Sequence, residues 1–173
     1  MMRRWLFPVL TGLSLAWAAW IFVLHATPGF LMGVAMARLD KAGPNRFAHG
    51  LLATDKSRVI VRPSPDLAYS SCPFDLSKGP VLIDVAPVPA PYWSLSIFDQ
   101  QTDVAFVRNN RDTKGGSIRI ALARQGQEVP AGIETVRLDD DRGIALVRIL
   151  VESRDRFAAI DRARRASVCR TLY

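Results

Sequence analysis

The sequence predicts a mainly β domain, an antiparallel sandwich or a partly open barrel, carried behind one N-terminal transmembrane helix and flanked by short helices. Three observations lead there. Residues 5–24 form a run of twenty without a charge, preceded directly by Arg3 and Arg4. From residue 57 onward, apolar side chains recur with period two in short runs, the spacing of strands with one buried face. Those runs stand roughly 8–12 residues apart and are divided by Gly, Pro, Asn and Asp clusters, as in all-β domains.

The apolar run comes first. Twenty such residues in a helix rise roughly 30 Å, the thickness of a bilayer's hydrocarbon core. Inside it only a helix satisfies its own backbone. Pro8 falls in the first turn, where its missing N–H does little harm. Trp5 and Trp20 lie near the two ends, as interfacial anchors do. A cleaved secretory signal is the competing reading. Signal h-regions run about 7–15 residues, however, and the small-x-small triplet Ala16-Trp17-Ala18 lies inside the apolar core. The run is therefore read as an uncleaved anchor over residues 5–26, with residues 1–4 in the cytoplasm. Arg3 and Arg4 favour that orientation by the positive-inside rule; Arg38 and Lys41 work against it, but long domains translocate largely regardless of their own charges. The expectation is a single-pass protein of a bacterial-type inner membrane with its domain in the periplasm.

Residues 25–29 (His-Ala-Thr-Pro-Gly) are expected to end the helix and open a juxtamembrane segment, 27–45. Within it 30–39 reads as a short amphipathic helix, and 42–45 (Ala-Gly-Pro-Asn) as a break. Asn45 would cap a helix over 46–52. The β-rich domain is placed at 46–173. Its expected strands are 58–62, 68–74, 80–85, 92–98, 104–107, 117–123, 135–138 and 144–151. Over 92–98, Trp93, Leu95 and Ile97 share one face. Over 117–123, Ile118, Ile120 and Leu122 point one way and Arg119 the other. Residues 157–168 read as an Arg-rich helix with Phe157, Ile160 and Val168 on its apolar stripe.

Net charge is +7 with a pI near 10.1. The excess sits in the flanks, while the centre of the chain is slightly acidic. Nucleic acid is not expected as a partner, because the aromatics do not interleave with the basic residues as a stacking platform requires. The bilayer is the expected partner, with anionic head groups suited to the basic stretch beside the anchor. The two cysteines, Cys72 and Cys169, lack metal-ligand spacing. They are either a disulfide formed in an oxidising compartment or two buried thiols. With two histidines and no cysteine pair, no metal or other cofactor is expected. Asp139-Asp140-Asp141 lacks the glycine and distal glutamate of a calcium loop and reads as a solvated turn.

Chemistry concentrates in residues 66–76, which hold Asp66, Tyr69, Ser70, Ser71, Cys72 and Asp75. Short polar residues beside proline are turn chemistry first, so Asp66 and Asp75 are expected at turns and Tyr69 bonded to backbone. Trp93 belongs first to a packed strand. His25 and His49 show no triad context, so an enzyme is the weaker expectation. On that alternative, Asp66, Tyr69 and Asp75 converge on a pocket lined by Trp93. The residues offered for ligand or partner are Asp66, Tyr69, Ser70, Asp75, Trp93 and Asp99, with Cys72 and Cys169 as the disulfide candidates.

Three segments carry a resemblance. They are Ser64-Pro65-Asp66-Leu67-Ala68-Tyr69-Ser70-Ser71, Phe74-Asp75-Leu76-Ser77-Lys78-Gly79-Pro80-Val81 and Tyr92-Trp93-Ser94-Leu95-Ser96-Ile97-Phe98-Asp99. Together they resemble the DUF1254 domain, whose larger members read Asn-x-Asp-Thr-x-Tyr-Ser, Asp-Leu-Ser-x-x-Pro-Val and Tyr-Tyr-Ser-x-x-x-x-Asp. The similarity spans about residues 46–107 and weakens after that. Ser64 and Leu67 stand where the motif has Asn and Thr, while Asp66 and Tyr69 remain. The larger members pair this domain with a DUF1214 domain. The resemblance therefore implies a short, membrane-anchored branch whose companion half is a separate protein. It implies a fold and a location, and no activity.

Overall fold

The structure is a computed structural model and describes residues 2–54, 57 and 63–173. The expected strand at 58–62 lies outside the described residues.

The chain opens with one helix, α1 (Met2–Leu39), which runs through Pro28 without a break. The expected helix end at 25–29 is thus corrected. Pro28 removes one N–H, and the polar side chains around it cap neighbouring carbonyls. Thr27 Oγ1 donates to the Val23 carbonyl at 2.6 Å, and His25 Nδ1 lies 2.9 Å from the Ile21 carbonyl. These bonds fall beside the Leu24 carbonyl, whose helical N–H partner Pro28 lacks; helices in apolar settings tolerate such a proline. From Trp5 to Leu24 the helix is exposed among the described residues, Trp5, Phe7, Trp17 and Phe22 included. It is long and apolar enough to cross a membrane. Met32, by contrast, is buried against the domain.

After α1, Asn45 does not cap a helix, and the expected helix at 46–52 is absent. Asn45 takes a left-handed φ of 57°, which asparagine tolerates better than most residues. Its side chain ties this segment to Asp75 and Thr171, far along the chain. Oδ1 accepts the Asp75 N–H at 2.8 Å, and Nδ2 donates to the Asp75 carbonyl and to Thr171 Oγ1, both at 3.1 Å. The backbone stays extended because it is captured as an edge strand, β1 (Ala48–His49).

Eight further strands follow among the described residues. They are β2 (Leu67–Asp75), β3 (Val81–Val85), β4 (Trp93–Phe98), β5 (Val104–Asn109), β6 (Ile118–Arg124), β7 (Glu134–Leu138), β8 (Arg142–Leu150) and β9 (Val168–Thr171). They build two sheets, ordered β1-β2-β8-β4-β5 and β7-β6-β3-β9. All neighbours are antiparallel except β6 and β7. The longest ladder joins β2 to β8 over nine pairs, from Leu67 with Leu150 to Asp75 with Arg142.

Alternation decides what each face buries. Ala68, Cys72 and Phe74 of β2, Trp93, Leu95 and Ile97 of β4, and Val147 and Ile149 of β8 point inward from the first sheet. Val81, Ile83, Ile118, Ile120 and Leu122 meet them from the second, in one buried cluster. The fold is therefore a sandwich. Ser94 and Ser96, on the opposite face of β4, are buried too. Cys72 and Cys169 form a disulfide that ties β2 of one sheet to β9 of the other.

The tail departs from expectation. A short 3-10 turn (Arg154–Arg156) leads into α2 (Phe157–Arg164), and the helix stops there. Val168 is not on a helical stripe; it starts β9 and is 40% exposed. Ladder bonds to β3, with Cys169 opposite Ile83, outweigh helix propensity in this Arg-rich stretch.

Candidate functional site

The residues singled out from the sequence do not converge. Asp66 precedes β2 and Asp75 ends it. Eight or nine residues of strand separate them by roughly 25–30 Å. Trp93 is 1% exposed and sits in the sandwich core, with Ile149 as its ladder partner. The alternative arrangement, with Asp66, Tyr69 and Asp75 around a pocket lined by Trp93, is thus not the one the fold makes.

Each residue instead has a local partner. Asp66 is exposed, and its carbonyl accepts the Val151 N–H at 2.9 Å. Tyr69 Oη accepts the Ser64 N–H at 3.1 Å, closing the turn into β2. Asp99 Oδ1 accepts the N–H groups of Gln101 and Asp103 at 2.9 and 2.8 Å and shapes the turn between β4 and β5. Asp75 Oδ1 accepts the Ser77 N–H at 2.9 Å, and Oδ2 accepts Arg142 Nε at 3.2 Å. Burial raises the pKa of Asp75, but the Ser77 bonds and the Arg142 cation outweigh it and hold the carboxyl below its ordinary value.

The fold assembles a different cluster at the open edge of the sandwich, where α2 covers β1 and β2. Ser70 is 2% exposed. Its ladder partner is His49, and His49 Nδ1 lies 2.9 Å from Ser70 Oγ. Arg164 of α2, 1% exposed, reaches the same point. Its Nη1 donates to the Tyr69 carbonyl at 2.7 Å and to Ser70 Oγ at 3.5 Å. Its Nη2 donates to the Gly50 carbonyl and to Asp161 Oδ1, both at 2.5 Å, and Nε donates to Asp161 Oδ1 at 2.8 Å. The guanidinium also lies 5.4 Å from the centre of the Phe157 ring.

Burial pushes the His49 pKa down, the Arg164 and Arg165 cations push it further, and Asp161 opposes them. For Asp161, burial raises the pKa, but bonds from Arg165 and Arg164 prevail and keep it low. The shift favours the neutral imidazole beside the Arg164 cation. A serine hydroxyl paired with a neutral histidine has the chemistry of a nucleophile and its base. Here the hydroxyl is shut off from solvent and shared with Arg164, so the cluster works as a clasp holding α2 on the sheet.

Open space lies elsewhere. A cleft of about 380 Å³ separates α1 from the sandwich, walled by Met32 and Met36 on the helix, by Asp40 just past its end, and by Pro73, Asp75 and Arg142 on the sheet. A second, of about 360 Å³, adjoins it and is lined by Arg46, Lys78 and Arg170 around Asp75 and Cys169. Of the residues singled out from the sequence for ligand or partner, Asp75 reaches both. Among the described residues, no group of three or more His, Cys, Asp and Glu side chains is placed to hold a metal ion.

The clasp was not readable from the sequence. His49 and Arg164 lie 21 and 94 residues from Ser70, and buried arginine runs against ordinary partitioning. Only the β1–β2 pairing and the return of α2 bring them together.

The chain is similar in structure to the VPA0106 protein from Vibrio parahaemolyticus, with a TM-score of 0.61 and 18% identity over 84% of this chain and 37% of that one. This chain thus spans 37% of the length of that structure. A second solved structure, of an uncharacterized protein from Burkholderia cenocepacia, gives a TM-score of 0.44 at 15% identity over 80% of this chain and 46% of that one. At 18% identity the first likeness shows the fold alone. A comparison with curated proteins finds no match. A family model described as a protein of unknown function (DUF1254) matches residues 44–171, nearly the whole sandwich with its disulfide and clasp. The chain belongs to the DUF1254 family.

Proposed function

We propose that this chain is a single-pass membrane protein that holds a binding domain at the outer face of a bacterial-type inner membrane. Residues 1–4 are cytoplasmic, α1 crosses the bilayer, and the sandwich stands in the periplasm. There it binds a companion envelope protein, for which a DUF1214-like partner is the first choice, rather than turning over a substrate. The observation that carries the reading is α1. Its residues 5–24 are uncharged and exposed, while its last turns are seated on the domain through Met32. A helix apolar all round and bare of protein contacts has lipid as its natural environment.

The disulfide between Cys72 and Cys169 supports the periplasmic side, since such bonds persist in oxidising compartments. The adjoining clefts around Asp75 and Arg142 offer a partner a surface with an ion pair at its centre. The test is co-expression with a DUF1214-like protein, crosslinking in membranes, and recovery of both. Substituting Asp75→Lys is expected to lower recovery while the domain stays folded. Unchanged recovery, or no crosslink with the companion at all, would count against the partner and the surface.

A further inference from the structure

The way α1 crosses the sandwich decides which edge of the domain faces the bilayer; this rests on reading α1 as the membrane anchor. Gly29 lies against the turn between β4 and β5, where an added Cβ would stand 3.7 Å from Gln101 Oε1 and 3.9 Å from the Gln100 carbonyl. Beyond the helix end, Asn45 N donates to the Pro73 carbonyl near the end of β2, at 2.9 Å. Arg142, at the start of β8, lines the cleft between those two points. In the sheet these strands stand in the order β2, β8, β4, β5. The helix therefore runs across the strands and not along them. With α1 upright in a bilayer, the sheet is stacked strand by strand along the membrane normal, and β5 is its lowest strand.

Depth follows from helix rise. Gly29 is five residues past Leu24, the end of the uncharged run, or about 7.5 Å farther along the axis. The interfacial layer outside the hydrocarbon core is itself about 5–8 Å thick on each side. The turn at 99–103 and the edge of β5 thus fall at the level of the head groups.

The edge has the composition for that level. A bulge shifts the register between Ile97 and Phe98, so that Val104 faces Phe98 and Val107 faces Ser96. Without it, the odd spacing would put the two valines on opposite faces. With it, both lie on the outer face that carries α1. They are 55% and 54% exposed. Among the described residues β5 is an edge strand, paired with β4 on one side alone. Valines on an open strand edge match a layer that is part apolar and part polar. Residues 99–116 hold three acidic and three basic side chains, so the attraction is interfacial and not a matter of net charge.

We propose that the outer edge of β5, with Val104 and Val107, is a membrane-contact surface that seats the sandwich on phospholipid head groups. The test uses the full chain, with its native disulfide intact, reconstituted into phosphatidylcholine vesicles. Single labelling sites are introduced as Val104→Cys, Val107→Cys, Leu51→Cys and Trp17→Cys, each carrying a spin label. Leu51 is 81% exposed beside β1, at the opposite edge of the sheet. Labels at 104 and 107 are expected to meet a water-soluble nickel chelate several-fold less often than the label at 51. Adding anionic lipid is expected to change this little. Equal accessibility at 104, 107 and 51, with 17 protected, would overturn the membrane-contact surface and leave the anchor standing. An accessible label at 17 would overturn the anchor, and this surface with it.

Discussion

Replacing Arg164 with alanine is the perturbation that most directly tests the clasp at the sandwich edge. The guanidinium is 1% exposed and holds the Gly50 and Tyr69 carbonyls together with the Asp161 carboxylate. Hydrogen bonds to charged groups are worth about 1.5–3 kcal/mol each. The Tyr69 carbonyl keeps a second partner, the Gly50 N–H at 3.0 Å, so its loss falls at the low end. Asp161 likewise keeps Arg165 Nε at 2.7 Å, so the heavier loss falls on the Gly50 carbonyl, and the Phe157 ring loses its covering cation. The total is about 3–5 kcal/mol, the range found when one partner of a buried charge pair is removed. For a domain of this size that is a fall in Tm of about 10–20 °C. The assay is thermal unfolding of the purified full chain in detergent, followed by far-UV circular dichroism. Arg164→Lys keeps the charge without the planar fork and should recover only part of the loss. A fall of less than about 1 kcal/mol for the alanine variant, the size of an ordinary surface change, would refute the role given to Arg164.

Other consequences follow from the same contacts. His49 is held below its ordinary pKa in the fold, so the unfolded chain binds its proton first as pH falls. Stability is therefore fully present above about pH 6.5 and declines below it, down to the depressed folded value; His49→Gln should flatten that slope in denaturation curves taken across the window. Asp161 and Asp75 are also held low, and their contribution fades only below about pH 4. At Gly143 an added Cβ would overlap the Phe98 carbonyl oxygen and the Phe74 ring, so Gly143→Ala should cost several kcal/mol. Gly33, with nothing near, should accept alanine freely; equal Tm values for the two variants would contradict the packing described. Removing the disulfide with Cys72→Ala and Cys169→Ala opens a separation of 97 residues, for which chain entropy gives a loss of about 4.7 kcal/mol at most. A shift in the urea midpoint should report it.

Much of the sandwich was legible because burial and period coincide. Ile118, Ile120 and Leu122 are buried while Arg119 between them is exposed, and that contrast survives in the bare sequence. Elements whose reasons are non-local were hidden. β1 is two residues long and exists only as a partner for β2. β9 is four residues long, its first residue reads as the end of the Arg-rich helix before it, and β3 and Cys169 hold it as a strand. α1 passes Pro28 although local rules end it there. The same division holds for the candidate site. Tyr69 closing a backbone turn is local chemistry written beside prolines. The His49–Ser70–Arg164 clasp depends on topology, and so does the bulge that turns Val104 and Val107 to one face.

The central claim is the placement of the sandwich across the bilayer from residues 1–4. The measurement that tests it most directly is an alkaline phosphatase fusion after Tyr173, assayed in whole cells beside a fusion to a cytoplasmic reporter. The account predicts an active phosphatase and a silent cytoplasmic reporter, with Cys72 and Cys169 resistant to thiol labelling until reduced. An inactive phosphatase with an active cytoplasmic reporter would place the domain inside the cell and contradict the account.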